Sequence, residues 1–313
     1  MTERKKPTVT PGRLFFGLAL FFLHALFLRN HEVAAGAVWE GLSLAAKNVV
    51  PSLFPFLVLS SILVQGGYDS LLFAPFAKKF FWNPSVFSAV LLGLLCGAPV
   101  GASYIAETVR AGRLSKRDAE RLLPLVSCPS LPFVVGIVGG AFLGDTRLGW
   151  LLFFSTLPGL LLAAILLTRR KEKERIPFAP PLQAPQKLSS LLGGGIVSAV
   201  KSVLLVSAYI VFFSALFETL SYCFSALSIP LALSAFFYCA LELSGGVAEA
   251  SALAPALALP LCGFAVGFSG LSFYFQVLTL TDKADLSPKF YLPVKLLQGV
   301  LAAILFSLFY SLV

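Results

Sequence analysis

The sequence predicts an all-α polytopic membrane protein made of two inverted repeats, each with a re-entrant broken-helix hairpin. Three observations lead there. Hydrophobic residues fill 58% of the 313 positions, charged residues only 12%, and the mean hydropathy is +0.88. Soluble domains carry about 25% charged residues, so a wholly water-facing surface is excluded. Several stretches meet the roughly 20 apolar residues that a spanning helix needs. Finally, breakers interrupt two of the apolar segments, in "LLCGAPVGASY" (94–104) and "ELSGG" (242–246). A helix-interior proline costs about 3 kcal/mol and a glycine about 1.

In chain order, an N-terminal anchor (1–40) holds a span at Leu14–Leu28, preceded by Arg4, Lys5, Lys6 and Arg13. No clean cleavage site follows it, so it reads as a retained anchor rather than a signal peptide. The first repeat (41–168) opens with a span from Gly41 to Val64, interrupted by Pro51 and Pro55. A short segment with Pro75, Lys78, Lys79 and the interfacial aromatics Phe80, Phe81 and Trp82 follows. Val86–Cys96 and Ala102–Val109 are two arms of about ten residues each, half of what a crossing requires. Ser115–Asp118 reads as a capping box that opens a helix to Leu125. Spans follow at Leu131–Leu143, extended on its N-side by Leu122–Val126, and at Leu148–Leu167. A basic, then proline-rich linker (169–190) separates the halves. The second repeat (191–313) reads as a span at Ile196–Leu220, arms at Leu227–Leu241 and Val247–Leu257, and spans at Pro260–Leu280 and Phe290–Leu312.

Basic residues orient this layout, because short cytoplasmic loops collect Lys and Arg. Four precede the first span, five lie in 110–121 and five in 169–175, together 14 of 24. With the N-terminus inside, Lys79 and Arg110 both face the cytoplasm, so the segment between them enters and leaves by one face. It is a hairpin, not a crossing.

The halves also resemble each other. "AAKNVVPSLFPFLVLSSIL" (45–63) matches "AVKSVLLVSAYIVFFSALF" (199–217), with Lys47 and Lys201 in register. "GAPVGA" (97–102) corresponds to "LSGGVA" (243–248), and "LLLAAILLT" (160–168) to "GVLAAILFS" (299–307). The first long span enters from outside and the second from inside, so the repeats are inverted. That arrangement, with broken helices, characterises secondary transporters.

The blocks "VVPSLFPFLVLSSILVQGG" (49–67), "CGAPVGASYIAETVRAGRLSKRDAERLL" (96–123), "LELSGG" (241–246) and "GFSGLSFYFQVLTL" (267–280) carry a further likeness. In their order and spacing the chain after Val33 resembles the sporulation integral membrane protein family with nucleoside-recognition Gate domains. It departs from that family at Ala98, where an aromatic is usual, and at Ser103, where a lysine is usual. The resemblance implies a role in endospore formation, moving dipicolinic acid from the mother cell across the outer forespore membrane. The Gate domain is also similar to the hairpin halves of concentrative nucleoside transporters, which makes a nucleoside or other small metabolite the alternative cargo. A non-transporting sporulation membrane assembly protein is the alternative of another class.

A small aromatic dianion needs donors and positive potential. Candidates at the first hairpin are Gly97, Pro99, Gly101 and Ser103, and at the second Glu242, Ser244, Gly245 and Gly246. Helices restarting after Gly101 and Gly246 present free N–H groups, although the same glycines also suit close helix packing. Ser127, Ser130 and Ser269 flank further Gly/Pro breaks, and Gln276 carries an amide. Two helix N-termini supply about half a charge each, leaving roughly one negative charge for a lysine. Lys201 is the candidate, with Lys47 its repeat mate; snorkelling to the interface is the other reading of either. Glu242 suits proton or cation coupling, or a salt bridge to Lys201.

Other chemistries find little support. His24 and His31 lie in the first span and its exit, and aspartates fall in loops, so no nucleophile–base set emerges. Cys96, Cys128, Cys223, Cys239 and Cys262 are scattered as small core residues. The expected partners are the bilayer and a small anionic substrate, with no enzyme activity, cofactor, metal or nucleic acid, and with a homo-oligomer left open.

Overall fold

Helix length and breaker position together decide which segments cross and which turn back. The computed structural model describes residues 11–69, 72–73, 75, 84–168, 187–223 and 228–312. The predicted interfacial segment around Lys78–Trp82 and most of the linker lie outside these residues. The described chain is all-α, with no strand. Among the described residues, six helical runs are long and apolar enough to cross a membrane, one of them the interrupted run Pro255–Ala284.

Helix α1 (Pro11–Arg29) buries no residue, as an anchor beside the body would. Helix α2 (His31–Gln65) starts ten residues before the expected Gly41 and passes through a π turn at Ala45–Val49. Pro51 follows at once, lacking the N–H that would bond the Lys47 carbonyl, and the wider turn relieves the ring's clash with that carbonyl. The two arms of the first hairpin are α3 (Pro84–Cys96) and α4 (Ala98–Arg110). Next come α5 (Lys116–Val126), the helical stretch α6 (Phe133–Phe142) and the long α7 (Thr146–Thr168). Helix α8 (Leu188–Cys223) opens the second half, followed by the hairpin arms α9 (Leu231–Leu241) and α10 (Leu243–Ser251). Helices α11 (Pro255–Phe268), α12 (Gly270–Thr281) and α13 (Tyr291–Tyr310) complete the chain. The same succession therefore occurs twice: long helix, two-armed hairpin, interrupted helix, long helix.

The hairpins fold back on themselves. A Cβ on Gly101 would lie 3.0 Å from the Gly93 Cα, and one on Gly246 2.4 Å from the Cys239 Cα. Residues seven or eight apart in a continuous helix are separated by about 10–12 Å along its axis, so both pairs face each other across a turn. Each arm of the first hairpin is 13 residues, about 20 Å, too short for a hydrocarbon core of about 30 Å.

Two differences from the sequence expectation concern the breaks. The second arms start at Ala98 and Leu243, not after Gly101 and Gly246; those two glycines sit inside the arms and serve close packing. Pro260–Leu280, read as one span, is divided at Ser269, where Ser269 (φ 73°) and Gly270 (φ 76°) both leave the helical region. The cause is the second hairpin: a Cβ on Gly270 would meet the Leu241 carbonyl and the Leu243 N at 3.2 Å.

Helices α2 and α8 pack along each other, and α13 packs against α7 and α11. The run containing α11 and α12 is 67% buried, against 22% for α2 and none for α1, so it forms the centre. At one edge the loop after α12 docks on the first turn of α5. Ser115 caps that helix by accepting from the Asp118 N–H at 3.1 Å, as its sequence predicts. Lys116 donates to Asp285 at 2.7 Å, and the Ser287 N–H donates to Glu120 at 2.8 Å. Lys116 holds the exposed Asp285 carboxyl below the usual carboxylate range. A lowered pKa stabilises the folded state above the ordinary carboxylate range and loses that contribution as pH falls through the lowered value. In so exposed a pair the effect is slight.

Gly101→Ala drives a methyl to 2.3 Å from the Val126 carbonyl oxygen, whereas Gly36→Ala meets nothing within 4 Å. Overpacking of this kind costs about 1–3 kcal/mol. In detergent, Gly101→Ala is expected to lower the melting temperature or the monodisperse yield, and Gly36→Ala to leave both unchanged.

Candidate functional site

Four interruptions of helix meet in the interior. The first hairpin turns at Gly97 (φ 90°, ψ 177°), a left-handed value that glycine adopts freely. A Cβ there would lie 3.3 Å from Ser130, in the non-helical stretch 127–130 between α5 and α6. The second hairpin turns at Glu242, in extended conformation, and abuts the Gly270 break as described above. Both tips line one cavity, with Gly97 and Pro99 from the first, Ser130 from the 127–130 break, and Glu242 and Ser244 from the second. Val49 and Leu53 of α2, Val206 and Ile210 of α8 and Phe273 of α12 close it. The space open to water-sized molecules is ≈ 20 Å³, room for about one water. The chamber is small, partly open and lined mainly by apolar side chains.

Its chemistry centres on Glu242, which is 1% exposed. One carboxylate oxygen, Oε2, accepts from the Gly245 N–H at 2.6 Å and caps α10, while Oε1 is buried without a protein partner. Tyr238, one turn before, donates to Ser214 at 2.9 Å and stacks on Phe217 with ring centroids 3.9 Å apart. That Tyr238 ring also fills the space where Gly245 has no side chain. Across the chamber, the Ser130 hydroxyl accepts from the Phe133 N–H at 3.3 Å.

The sequence-predicted residues fall into three groups. Gly97, Pro99, Ser130, Glu242 and Ser244 come together around the chamber. Gly101, Gly245 and Gly246 are packing positions behind the tips. Ser127 and Gln276 are buried with unpartnered polar atoms outside its lining, and the Ser269 hydroxyl donates to the Val266 carbonyl at 3.3 Å. Ser103 lines a separate, more polar cavity of ≈ 50 Å³ with Ser61, Gln65, Glu107, Ser198 and Ser202; Pro99 borders both. Lys201 is not brought to the site: it is exposed on α8, and Lys47 is exposed on α2. Neither pairs with Glu242, and an exposed lysine on an apolar helix snorkels to the interface, which needs no buried partner.

Among the described residues the buried lysine is Lys295 of α13, 0% exposed. Its ammonium donates to the Gln298 Oε1 at 2.9 Å, and the Gln298 amide contacts the Cys128 sulfur at 3.8 Å. The Tyr291 hydroxyl nearby on that helix has no partner. Tyr291, Lys295 and Gln298 recur at helical spacing in "YLPVKLLQG" (291–299), a polar stripe on an apolar helix. That stripe was the available signal, since charges within spans usually face the bundle interior. A larger cavity of ≈ 830 Å³ between α3, α5 and α7 is lined by apolar side chains, including the exposed Phe154 and Leu161, and offers no chemistry.

Fold and site together define an integral membrane protein of several apolar helices, with two hairpin tips meeting at a small, mainly apolar chamber. No family model matches the chain, and no solved structure matches it significantly. Over 325 aligned positions it is 29% identical to the sporulation integral membrane protein YlbJ of Bacillus subtilis (strain 168). The alignment covers 90% of this chain and 79% of that relative.

The cap made by Glu242 separates two substitutions. Glu242→Ala removes the acceptor from a buried helix start, a loss of about 1–2 kcal/mol. Glu242→Gln keeps a carbonyl oxygen for the Gly245 N–H. Thermal melting of the purified variants is expected to show the larger drop for Glu242→Ala.

Proposed function

We propose that this protein is a sporulation-associated membrane transporter of the YlbJ and Gate-domain kind, carrying a small anionic metabolite, with dipicolinic acid as the cargo. Its place is the outer forespore membrane, facing the mother cell. One observation carries the reading: two hairpin tips and a helix break line a single small chamber in the interior. Non-helical backbone at membrane depth is tolerated where it is buried in protein or lines a cavity. In transporters built from inverted repeats, that backbone forms the substrate site at the midplane. The repeated succession of elements and the inverted orientation assigned by the basic residues support the same class.

Access follows from the second cavity. Ser61, Gln65, Ser103, Ser198 and Ser202 form a hydroxyl- and amide-lined approach beside α4 that ends at Pro99, where the chamber begins. Glu107 stands at its other end, near the basic loop placed in the cytoplasm. Cargo enters along this face, the first hairpin tip moves aside, and the chamber widens from its present volume of about one water. Similarity to a sporulation membrane protein supports the setting.

A neutral nucleoside is the second reading, and one observation favours it. The chamber wall carries the Glu242 carboxylate, which repels an anion unless it is protonated or paired, whereas sugar hydroxyls would donate to its free Oε1.

Counterflow into vesicles holding the purified protein tests both readings. Labelled dipicolinate is expected to accumulate above empty vesicles. Ser130→Val, which takes the water-sized space of the chamber and removes its hydroxyl, is expected to lower uptake at least tenfold while the protein remains monodisperse. Accumulation of uridine without dipicolinate would select the second reading, and accumulation of neither would reject transport of both.

A further inference from the structure

We propose that Lys295 is the fixed positive charge that holds a carboxylate of the cargo, at a site behind the 127–130 break. This deepens the anion-transport reading and rests on it.

The starting point is an unmatched charge. Three charged side chains among the described residues are buried: Asp69, Glu242 and Lys295. Asp69 accepts from the Tyr104 hydroxyl at 2.7 Å, and Glu242 caps α10. Lys295 is 0% exposed, and its one hydrogen bond among the described residues goes to a neutral amide. An ammonium has three donors, so two N–H groups have no partner there. A charge taken from water without a counter-ion is costly, and a bound anion relieves that cost.

No carboxylate of the surrounding helices does so. Helix α13 packs against α5, α7 and α11. On α5, Asp118 is engaged by Ser115 and Arg121, and Glu120 accepts from the Ser287 N–H, both at the loop. Helix α7 meets α13 with Gly159 against Gln298, and α11 meets it with Gly267 against the Gln298 carbonyl. Neither α7 nor α11 carries an acidic residue.

The neighbours are instead unspent hydrogen-bonding groups. The Tyr291 hydroxyl is buried without a partner, one turn before Lys295 on the same helix. The Gln298 amide reaches only a sulfur, that of Cys128. The Ser127 hydroxyl, adjacent to Cys128, is also buried and unpartnered. An ammonium, a phenol and an amide suit one carboxylate, the ammonium supplying charge and the other two donating to its oxygens. Gln298 links Lys295 to Cys128, two residues from the chamber-lining Ser130, which puts the ammonium on the far side of the 127–130 break. Glu242 and Lys295 then give the interior one carboxylate and one ammonium.

Melting of purified protein reports binding by mass action, independently of transport. Dipicolinate is expected to raise the melting temperature of the parent, of Lys295→Arg and of Lys201→Gln, and to leave Lys295→Gln unshifted. Lys295→Met removes the charge while filling the same space, and serves if the glutamine variant does not fold. In vesicles, dipicolinate uptake is expected to fall at least tenfold in the neutral variants and to stay within about threefold of the parent in Lys295→Arg. A shift in Lys295→Gln equal to the parent's, an arginine variant as defective as the glutamine one, or an unshifted parent overturns the assignment. A shifted parent that accumulates no dipicolinate leaves the anion site standing and rejects the transport reading alone.

Discussion

Backbone polar groups released by broken helices have to be satisfied inside the protein, because hydrocarbon offers them no partner. The rest of the fold depends on that constraint. Four interruptions, at Gly97, 127–130, Glu242 and Ser269–Gly270, are brought against one another rather than scattered. Each solves its local problem differently: a left-handed glycine, a buried non-helical stretch, a carboxylate cap, and two consecutive left-handed residues. Long helices α2 and α8, each about 50 Å, shield the result from lipid.

Close packing is the means. At Gly93, Gly101, Gly246 and Gly267 a single added methyl would fall within 3.0 Å of neighbouring atoms. Without a hydrophobic force between helices in lipid, small residues and interhelical hydrogen bonds supply the association. The hairpins are therefore held by contact at their backbones, and their tips are placed by the interrupted helices that they touch. Such an interior has discrete arrangements rather than continuous flexibility, which suits a chamber that opens and closes.

Much of this was legible in the sequence. Breakers inside apolar runs predicted both hairpins, because arms of about ten residues cannot cross a membrane. The Ser115 cap and the breaker clusters 97–101 and 242–246 that hold the tips were equally readable. Three things were not. Pro260–Leu280 reads as continuous because Ser269 is an ordinary residue, forced into a left-handed turn by a hairpin distant in sequence. The roles of Gly101 and Gly246 depend on what faces them, which composition does not encode. Lys201 drew attention by matching Lys47, yet both face outward. Lys295, which no matched lysine in the first half pointed to, is the buried lysine among the described residues.

The central claim is that the two hairpin tips face each other across one chamber. Thiol cross-linking tests it most directly, with Ala98→Cys at the first tip and Ser244→Cys at the second combined in a background from which the five native cysteines have been removed. A short bifunctional methanethiosulfonate is expected to join the two positions within one chain. Protease cleavage in the 169–186 linker would then leave the halves covalently connected on a denaturing gel. Efficient modification of each single variant, with no cross-link in the double variant, would contradict a shared chamber.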